Sequence, residues 1–481
     1  VRTIRVGPKD SLQAALDAAQ YGDVIVLQAG VAYPGNFVLP KKTGTGEIVI
    51  QSSRANELPE GQRVRPKQQK DLFAKLQTTN QEAVVKTAPG AHHYRFIGIE
   101  FSTTDDKVMV YDIVRLGETR HQQKTLASVP SNIIIDRCYI HGLAAQDVQR
   151  GISLNSRDTT ISNSHISDIH GVGYDSQAIG GWNGPGWFKI TNNYLEAAGE
   201  NIMFGGADPA IPELIPANIT ITGNYLFKPR SWNVGDPNYA GKHWTVKNLL
   251  ELKNAKTVVI DGNYFENNWT DGQAGIPILF TVRNQEGSAP WSVVHDVIFK
   301  NNIVKGADGG GLNFLGSDNE KPSAQASKAV VENNLFVDIR GIFLTMNGFH
   351  NVSIVHNTHI QTGNIMILYG KVANGFEYSD NLTIRGPKGY GVFGDATGEG
   401  AVALRKYTPD GIFKNNVLAG ADSSIYPKDN FYPSPEKVGF TNFAQGDYRL
   451  NATSPFRKSA SDGTPVGCDW DKLNFNAKIT E

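Results

Sequence analysis

Two stretches of this chain end on a cation followed by an asparagine. Residues 247–254 read KNLLELKN and residues 277–284 read PILFTVRN, so Lys253–Asn254 and Arg283–Asn284 close segments of similar apolar pattern. Aligned on that ending, Leu250 falls against Phe280, Leu252 against Val282, Glu251 against Thr281 and Lys253 against Arg283. In neighbouring strands, about 5 Å apart, the two cations repel each other unless an anion or a carboxylate stands between them. The pattern therefore predicts an anion-binding ridge, with Lys247, Asn254 and Asn284 counted among its substrate contacts. The alternative is a salt-bridge ladder in which Glu251 lies on the solvated face.

A second pattern concerns carboxylates. Aligning DSQAIGGW (175–182) with ENIMFGGAD (200–208) on their glycine pairs sets Asp175 beside Glu200. Two close carboxyls would push one pKa upward, as acid–base chemistry needs, whereas a register slip of one residue would part them. Two polar, Pro/Gly-rich insertions follow, FKPRSWNVGDPNYAGKHW (227–244) and NQEGSAPW (284–291). Trp182, Trp232, Trp244 and Trp291 lie in or beside them, with Lys228 and Arg230 among them. Several indoles on one face would form a groove for sugar rings; each taken singly could equally anchor its loop to the core. The histidines show no recurring ligand spacing, and Asp158, Asp168 and Asp175 lack a convincing calcium-ligand pattern. No cofactor is assigned and calcium is left open.

The elements that must hold these residues come from a repeat. An asparagine before a short apolar run recurs at Asn193, Asn224, Asn263, Asn302, Asn334, Asn357, Asn381 and Asn416, with DRCYI and SNSHI as weaker earlier copies. The spacing shrinks to 23 and 24 residues between Asn334, Asn357 and Asn381, which is the bare unit. Before each asparagine stands an alternating segment such as NITIT, TVVID or DVIFK, the period-2 mark of a strand with one buried face. One such unit cannot bury its apolar face, and stacked units can. The fold class expected is all-β: a single right-handed parallel β-helix whose corner asparagines bond from coil to coil. DSLQAALDAAQ (10–20) predicts a capping helix started by Asp10 or Ser11, with Leu12, Ala15, Leu16 and Ala19 on one face. The expected organisation is a cap and first coil over 1–45, the β-helix over 46–421, and a Pro/Ser/Asp-rich strap and cap over 422–481.

Composition agrees. The chain has 481 residues, 50 of them glycine and only 4 methionine, and 19% are charged. A formal net charge of −1 gives no field to attract nucleic acid, and no apolar run reaches the roughly 18 residues that would span a bilayer. Cys138 and Cys468 are read as free thiols. Val1 opens the chain without a leader segment, as in a processed mature chain or a trimmed one.

The opening LQAALDAA…GDVIVL with the repeat resembles the right-handed parallel β-helix proteins of the pectate-lyase-like superfamily, and DSQAIGGWNGPG resembles stretches of soil-bacterial proteins. That superfamily implies carbohydrate chemistry of several kinds. The NTD, GHG and RIK signatures of its polygalacturonase-like hydrolases and the QDTL and DFIFG segments of its pectin methylesterases are absent. The expectation is a secreted, extracellular or periplasmic protein with a polysaccharide partner. The preferred reading is β-elimination on an acidic glycan, with Arg283 and Lys253 neutralising the uronate carboxylate or supplying the base and Glu251 or Glu200 assisting. A hydrolase using Asp175, Glu200 or Glu251 as acid and base, and a non-catalytic glycan-binding protein, are the alternatives.

Overall fold

The computed structural model describes residues 2–386 and 391–478. It divides into two compact units, one holding residues up to 246 with 285–291, the other 247–284 and 292–477. Each unit is built in the same way. Successive coils contribute one strand to each of three parallel sheets, here A, B and C, in that order along the chain. In the first unit one full coil is Arg157–Ser162 (A), His165–Ile169 (B) and Gln177–Gly181 (C); in the second, Val294–Lys300, Ile303–Ala307 and Gly310–Leu315. The ladders run in register. Ile161 pairs with Ile135 and Ile190, and Phe299 with Ile260 and Val331, so like side chains stack in columns inside the coil.

The repeated dipeptide has two roles at the A-to-B corner. Its first residue adopts a left-handed conformation: φ is 54° at Asn192, 53° at Asn301, 55° at Asn333 and 64° at Gly223. This explains why that letter is Gly, Asn or Asp, the residues that best tolerate positive φ, in every asparagine copy but the one opened by His356 (52°). Its second residue is the ladder asparagine, fully buried. In the second unit the chain of bonds runs unbroken: Asn263 N–H and Nδ2 donate to Asn302 Oδ1 at 2.9 and 3.0 Å, and the same pair recurs from Asn302 to Asn334, Asn357, Asn381 and Asn416. In the first unit Asn193 donates to Asn224, Ser164 N–H to Asn193 Oδ1, and Cys138 N–H to Ser164 Oγ. The weak copies DRCYI and SNSHI thus hold the ladder position with Cys and Ser.

The N-terminal helix α1 (Leu12–Ala18) is capped by Ser11, whose Oγ accepts the Ala14 N–H at 3.2 Å, while the Asp10 carboxylate takes the Gly7 N–H. Leu12, Ala15, Leu16 and Ala19 are buried, as expected for its apolar face. Two further short helices, Pro66–Gln69 and Ala401–Tyr407, have no periodic signal long enough to announce them. The tail does not leave the coil pattern at 422. Asn416 N–H and Nδ2 donate to Asn430 Oδ1 at 3.0 and 2.9 Å, adding a rung beyond that boundary. Further on, Val438, Phe456, Ala460 and Val466 pack against Leu382, Val417 and Ala419 of sheet B. Residues 479–481 of the tail lie outside the described residues. Both cysteines are buried free thiols, and burial raises each pKa to about 12.

Candidate active site

In the second unit, Asn248–Leu252 and Ile278–Thr281 are neighbouring strands of sheet C; Lys253 follows the first directly and Arg283 stands two residues past the second. The register differs from the sequence alignment by two residues: Leu250 opposes Ile278, Glu251 opposes Leu279 and Leu252 opposes Phe280. A two-residue shift keeps every side chain on its face, so Leu250, Leu252, Phe280 and Val282 are all buried as expected. Past the paired residues the chains converge, and Arg283 N–H donates to Lys253 C=O at 3.0 Å. The two cations therefore leave the same end of adjacent strands.

Each has its own carboxylate. Lys253 Nζ lies 3.7 Å from Glu251 Oε1, and Arg283 Nη1 lies 3.3 Å from Asp318 Oδ1 and also meets Asn319 Oδ1. Glu251 is 2% exposed, not on a solvated face, because a cluster of polar side chains replaces water around it. Asn248 Nδ2 donates to its Oε2 at 3.0 Å and to Gln273 Oε1 at 3.2 Å, and Thr281 Oγ1 donates to Glu251 Oε1 at 3.3 Å. Burial works against the Asp318 carboxylate. The backbone N–H groups of Glu320 and Asn284 and the Arg283 guanidinium outweigh it, holding the carboxyl below its ordinary pKa. The Lys253 side chain is 12% exposed and Arg283 32%, which leaves the guanidinium the more open of the two. With its oxygens taken by Asn248, Thr281 and Lys253, Glu251 is set up as the partner of an ammonium. Among the described residues no three His, Cys, Asp or Glu side chains gather as a metal centre.

In the first unit, Asp112, Arg150, Gln177 and Glu200 form a polar row of sheet C, successive register partners. Asp112 bridges Arg115 at 2.9 Å and Arg150 at 3.3 Å; the Arg150 guanidinium sits 4.7 Å over the Trp182 ring; Gln177 Nε2 donates to Glu200 Oε2 at 2.7 Å. The expected pairing of Asp175 with Glu200 is therefore corrected. Glu200 opposes Gln177, and Asp175 lies two residues earlier, before the strand begins, because the apolar pair Ile179–Ile202 sets the register rather than the glycine pairs.

The protein resembles solved structures in fold and not in sequence. The sequence matches no known family profile and no curated protein. Among solved structures it is similar to a mannuronic-acid-specific polysaccharide family 6 lyase from human gut microbiota (TM-score 0.51, 11% identity, 90% of this chain and 92% of that one). It is likewise similar to the PL6 family alginate lyase AlyGC (TM-score 0.53, 13% identity, all of this chain and 59% of that one). The fold is a parallel β-helix. At these identities the likeness is one of fold, and this chain spans about three-fifths of AlyGC.

On this β-helix several residues expected in a sugar groove are placed otherwise. Lys228 is fully buried. Its Nζ donates to the carbonyls of Ala197, Ala198 and Gly199 at 2.8–2.9 Å and to Asn201 Oδ1 at 3.0 Å, so it braces the turn that leads into Glu200 instead of reaching solvent. Burial lowers its pKa, and the Glu200 carboxylate works in the opposite direction. Trp232 and Trp244 are buried as well, 7% and 2% exposed. Trp244 stacks on His170 at 3.7 Å between centroids, and Trp232 meets the same imidazole edge-on at 5.2 Å. The insertion thus spends both indoles on its own anchorage, as the loop-anchor alternative had it. Trp291 is half-buried and donates Nε1–H to Leu214 C=O at 3.0 Å, another anchor. Asn254 and Asn284 are buried and bond backbone, Asn254 Oδ1 to Val293 N–H and Asn284 Nδ2 to Pro322 C=O. Their recurrence after the cations is structural. Arg230 is exposed and paired with Asp236 at 2.8 Å; Lys247 is half-buried; Trp182 keeps one face for Arg150.

Sequence reasoning missed Asn248, Gln273, Asp318, Arg150 and Gln177. Asp318 follows GLNFLG, the apolar run one coil beyond Arg283, so a search for a counter-ion one period downstream would have found it. Arg150 and Gln177 become visible once Ile152 and Ile179 are aligned.

Proposed function

We propose that this protein is a polysaccharide lyase that cleaves a uronate-containing glycan by β-elimination outside the cytoplasm, with Lys253 and Arg283 at the reacting sugar. The observation that carries the reading is the 3.0 Å bond from Arg283 N–H to Lys253 C=O, which fixes both cations at one end of adjacent sheet-C strands. A uronate C5 proton becomes removable only when the neighbouring carboxylate is neutralised. The guanidinium presents a planar fork for a carboxylate and cannot give up its proton, so Arg283 takes the neutralising role. Lysine can cycle between amine and ammonium, so Lys253 takes the C5 proton as base. The C4–O bond then breaks, a C4=C5 double bond forms, and the departing oxygen receives a proton from the Lys253 ammonium or from water. Glu251, held by Asn248 and Thr281, orients the Lys253 side chain.

The two fold neighbours support the class, one being described as mannuronic-acid-specific and the other as an alginate lyase. The hydrolase alternative loses its main support, since Asp175 and Glu200 are not register partners. The test is a panel of alginate, polygalacturonate, hyaluronan and a neutral β-glucan, read both by far-ultraviolet absorbance of unsaturated uronate and by reducing ends, with and without a calcium chelator. Absorbance rising with reducing ends on an acidic polymer is expected. Reducing ends without absorbance would establish a hydrolase, and binding without either product a non-catalytic protein.

A further inference from the structure

One tryptophan of the described chain is exposed where its surroundings offer it nothing. Trp187, on the sheet-A strand Gly186–Thr191 of the first unit, is 64% exposed. Its side chain makes no hydrogen bond, ring contact or cation contact among the described residues. Its backbone is also strained, with φ at +61°.

That angle is imposed by the fold. Each sheet-A strand of this region carries a left-handed residue at the same rung, beside Trp187 in register: His93 (60°), Asn132 (53°), Asp158 (49°) and Asn218 (55°). In the other unit the sheet-A strands carry Thr257, Asp296, Lys328 and Asn351 in the same conformation. Asn and Asp suit it because a short polar side chain can bond locally; a bulky aromatic is an outlier there. Trp187 therefore bears two costs, an unfavourable backbone conformation and an indole in water, and neither is offset by packing.

Its surroundings define what would offset them. Lys189 is exposed on the same face of the same strand, about 7 Å along, and has no ion-pair partner among the described residues. Arg157 opposes Gly186 one coil back, with its side chain 44% exposed and bridged to Asp158 at 3.1 Å. The flanking outward positions Thr160 and Thr220 are half-buried hydroxyl residues in register with Lys189. A flat hydroxyl-lined face bearing one bare indole and one free ammonium suits a pyranose ring stacked on the aromatic with a carboxylate against the cation.

We propose that Trp187 and Lys189 form a second glycan-binding site, on sheet A and separate from the sheet-C row, that holds an acidic polysaccharide chain without acting on it. It rests on the reading that the protein meets such polymers, and not on which residues perform catalysis.

The test is affinity gel electrophoresis in alginate, polygalacturonate and dextran, with the native protein, Trp187→Asn and Trp187→Gly. Both substitutions suit a positive φ, so both variants should fold with a thermal midpoint equal to or above that of the native protein. Expected is retardation of the native protein by an acidic polymer and not by dextran, weakened at least fivefold in both variants, with turnover of short oligosaccharides changed less than twofold. No retardation of the native protein in either acidic gel overturns the proposal, as does equal retardation of all three proteins. A midpoint several degrees lower in both variants would make Trp187 a packing residue and overturn it. Self-association by light scattering that vanishes in the variants would instead assign the patch to a second copy of this chain. Trp187-dependent retardation without turnover of any polymer leaves this site standing and sinks only the lyase reading; turnover with Trp187-independent retardation does the reverse.

Discussion

Replacing Asn302 by alanine removes one rung from the asparagine ladder and touches no proposed site residue. Its Oδ1 accepts from Asn263 N–H and Nδ2 at 2.9 and 3.0 Å, and its Nδ2 donates to Ile260 C=O and Asn334 Oδ1 at 3.0 and 3.1 Å. Alanine deprives two buried donors and one buried carbonyl of a partner, while Asn334 Oδ1 keeps the Asn302 N–H at 2.8 Å. At about 1–3 kcal/mol for each buried polar group left unmet, with some relaxation, the cost is about 3–6 kcal/mol. The structure supplies an internal control, since Ser164 occupies the same corner and its Oγ accepts Cys138 N–H at 3.0 Å. Asn302→Ser should therefore cost clearly less than Asn302→Ala. Urea unfolding followed by circular dichroism ranks the three proteins by midpoint, and amide exchange at Asn263 locates the loss. A cost below about 1 kcal/mol for alanine, or equal midpoints for serine and alanine, would refute the view that this ladder holds the corner together.

The buried histidines should make stability fall with acid. Burial, with Arg63 nearby, lowers the His165 pKa to about 3, and burial does the same to His359. Each unfolded imidazole binds its proton near pH 6.5, so stability is full above that and drains away as pH falls toward 3, by about 2–3 kcal/mol per histidine at pH 4.5. His165→Phe, which keeps the stacking on Tyr194, should flatten the difference in unfolding midpoint between pH 7 and 4.5, and an unchanged difference would contradict the assignment. Trp232→Ala should cost about 3–5 kcal/mol in unfolding free energy because that ring is buried against His170, and a well-folded variant with weakened glycan binding would restore Trp232 to the groove. Lys228→Met should destabilise by about 3–5 kcal/mol, stripping the donor from three carbonyls and Asn201 at once, and a thermal midpoint unchanged in that variant would contradict the brace.

The corner was readable because eight coils restate the same asparagine, and the parity of the strands because alternation survives any even shift. The register of Lys253 against Arg283 was not, since Leu250 can face Phe280 or Ile278 with the same apolar gain. Glu200 went to the wrong partner for the same reason: glycine pairs look like markers but contribute no packing, whereas Ile179 and Ile202 do. The insertions misled most. Trp232, Trp244 and Lys228 sit in polar sequence, and nothing local distinguishes an indole turned toward solvent from one folded back on a histidine some sixty residues or more away in the chain. Asn430 was overlooked because it lies in a Pro-rich tail without an alternating strand before it. Trp187 escaped notice because its strain exists only in φ.

The most direct measurement of the central claim is turnover of the preferred acidic polymer by Lys253→Met and Arg283→Ala, followed by absorbance of unsaturated uronate, with thermal unfolding run in parallel. The account expects unsaturated ends and reducing ends to appear one for one in the native protein. It expects a loss of roughly two to three orders of magnitude or more in each variant, measured well below its unfolding midpoint, which should stay close to native for Arg283→Ala and fall for Lys253→Met because the buried Glu251 carboxylate loses its cation. Native-like turnover in either variant, or a loss that merely follows a collapsed midpoint, would contradict it.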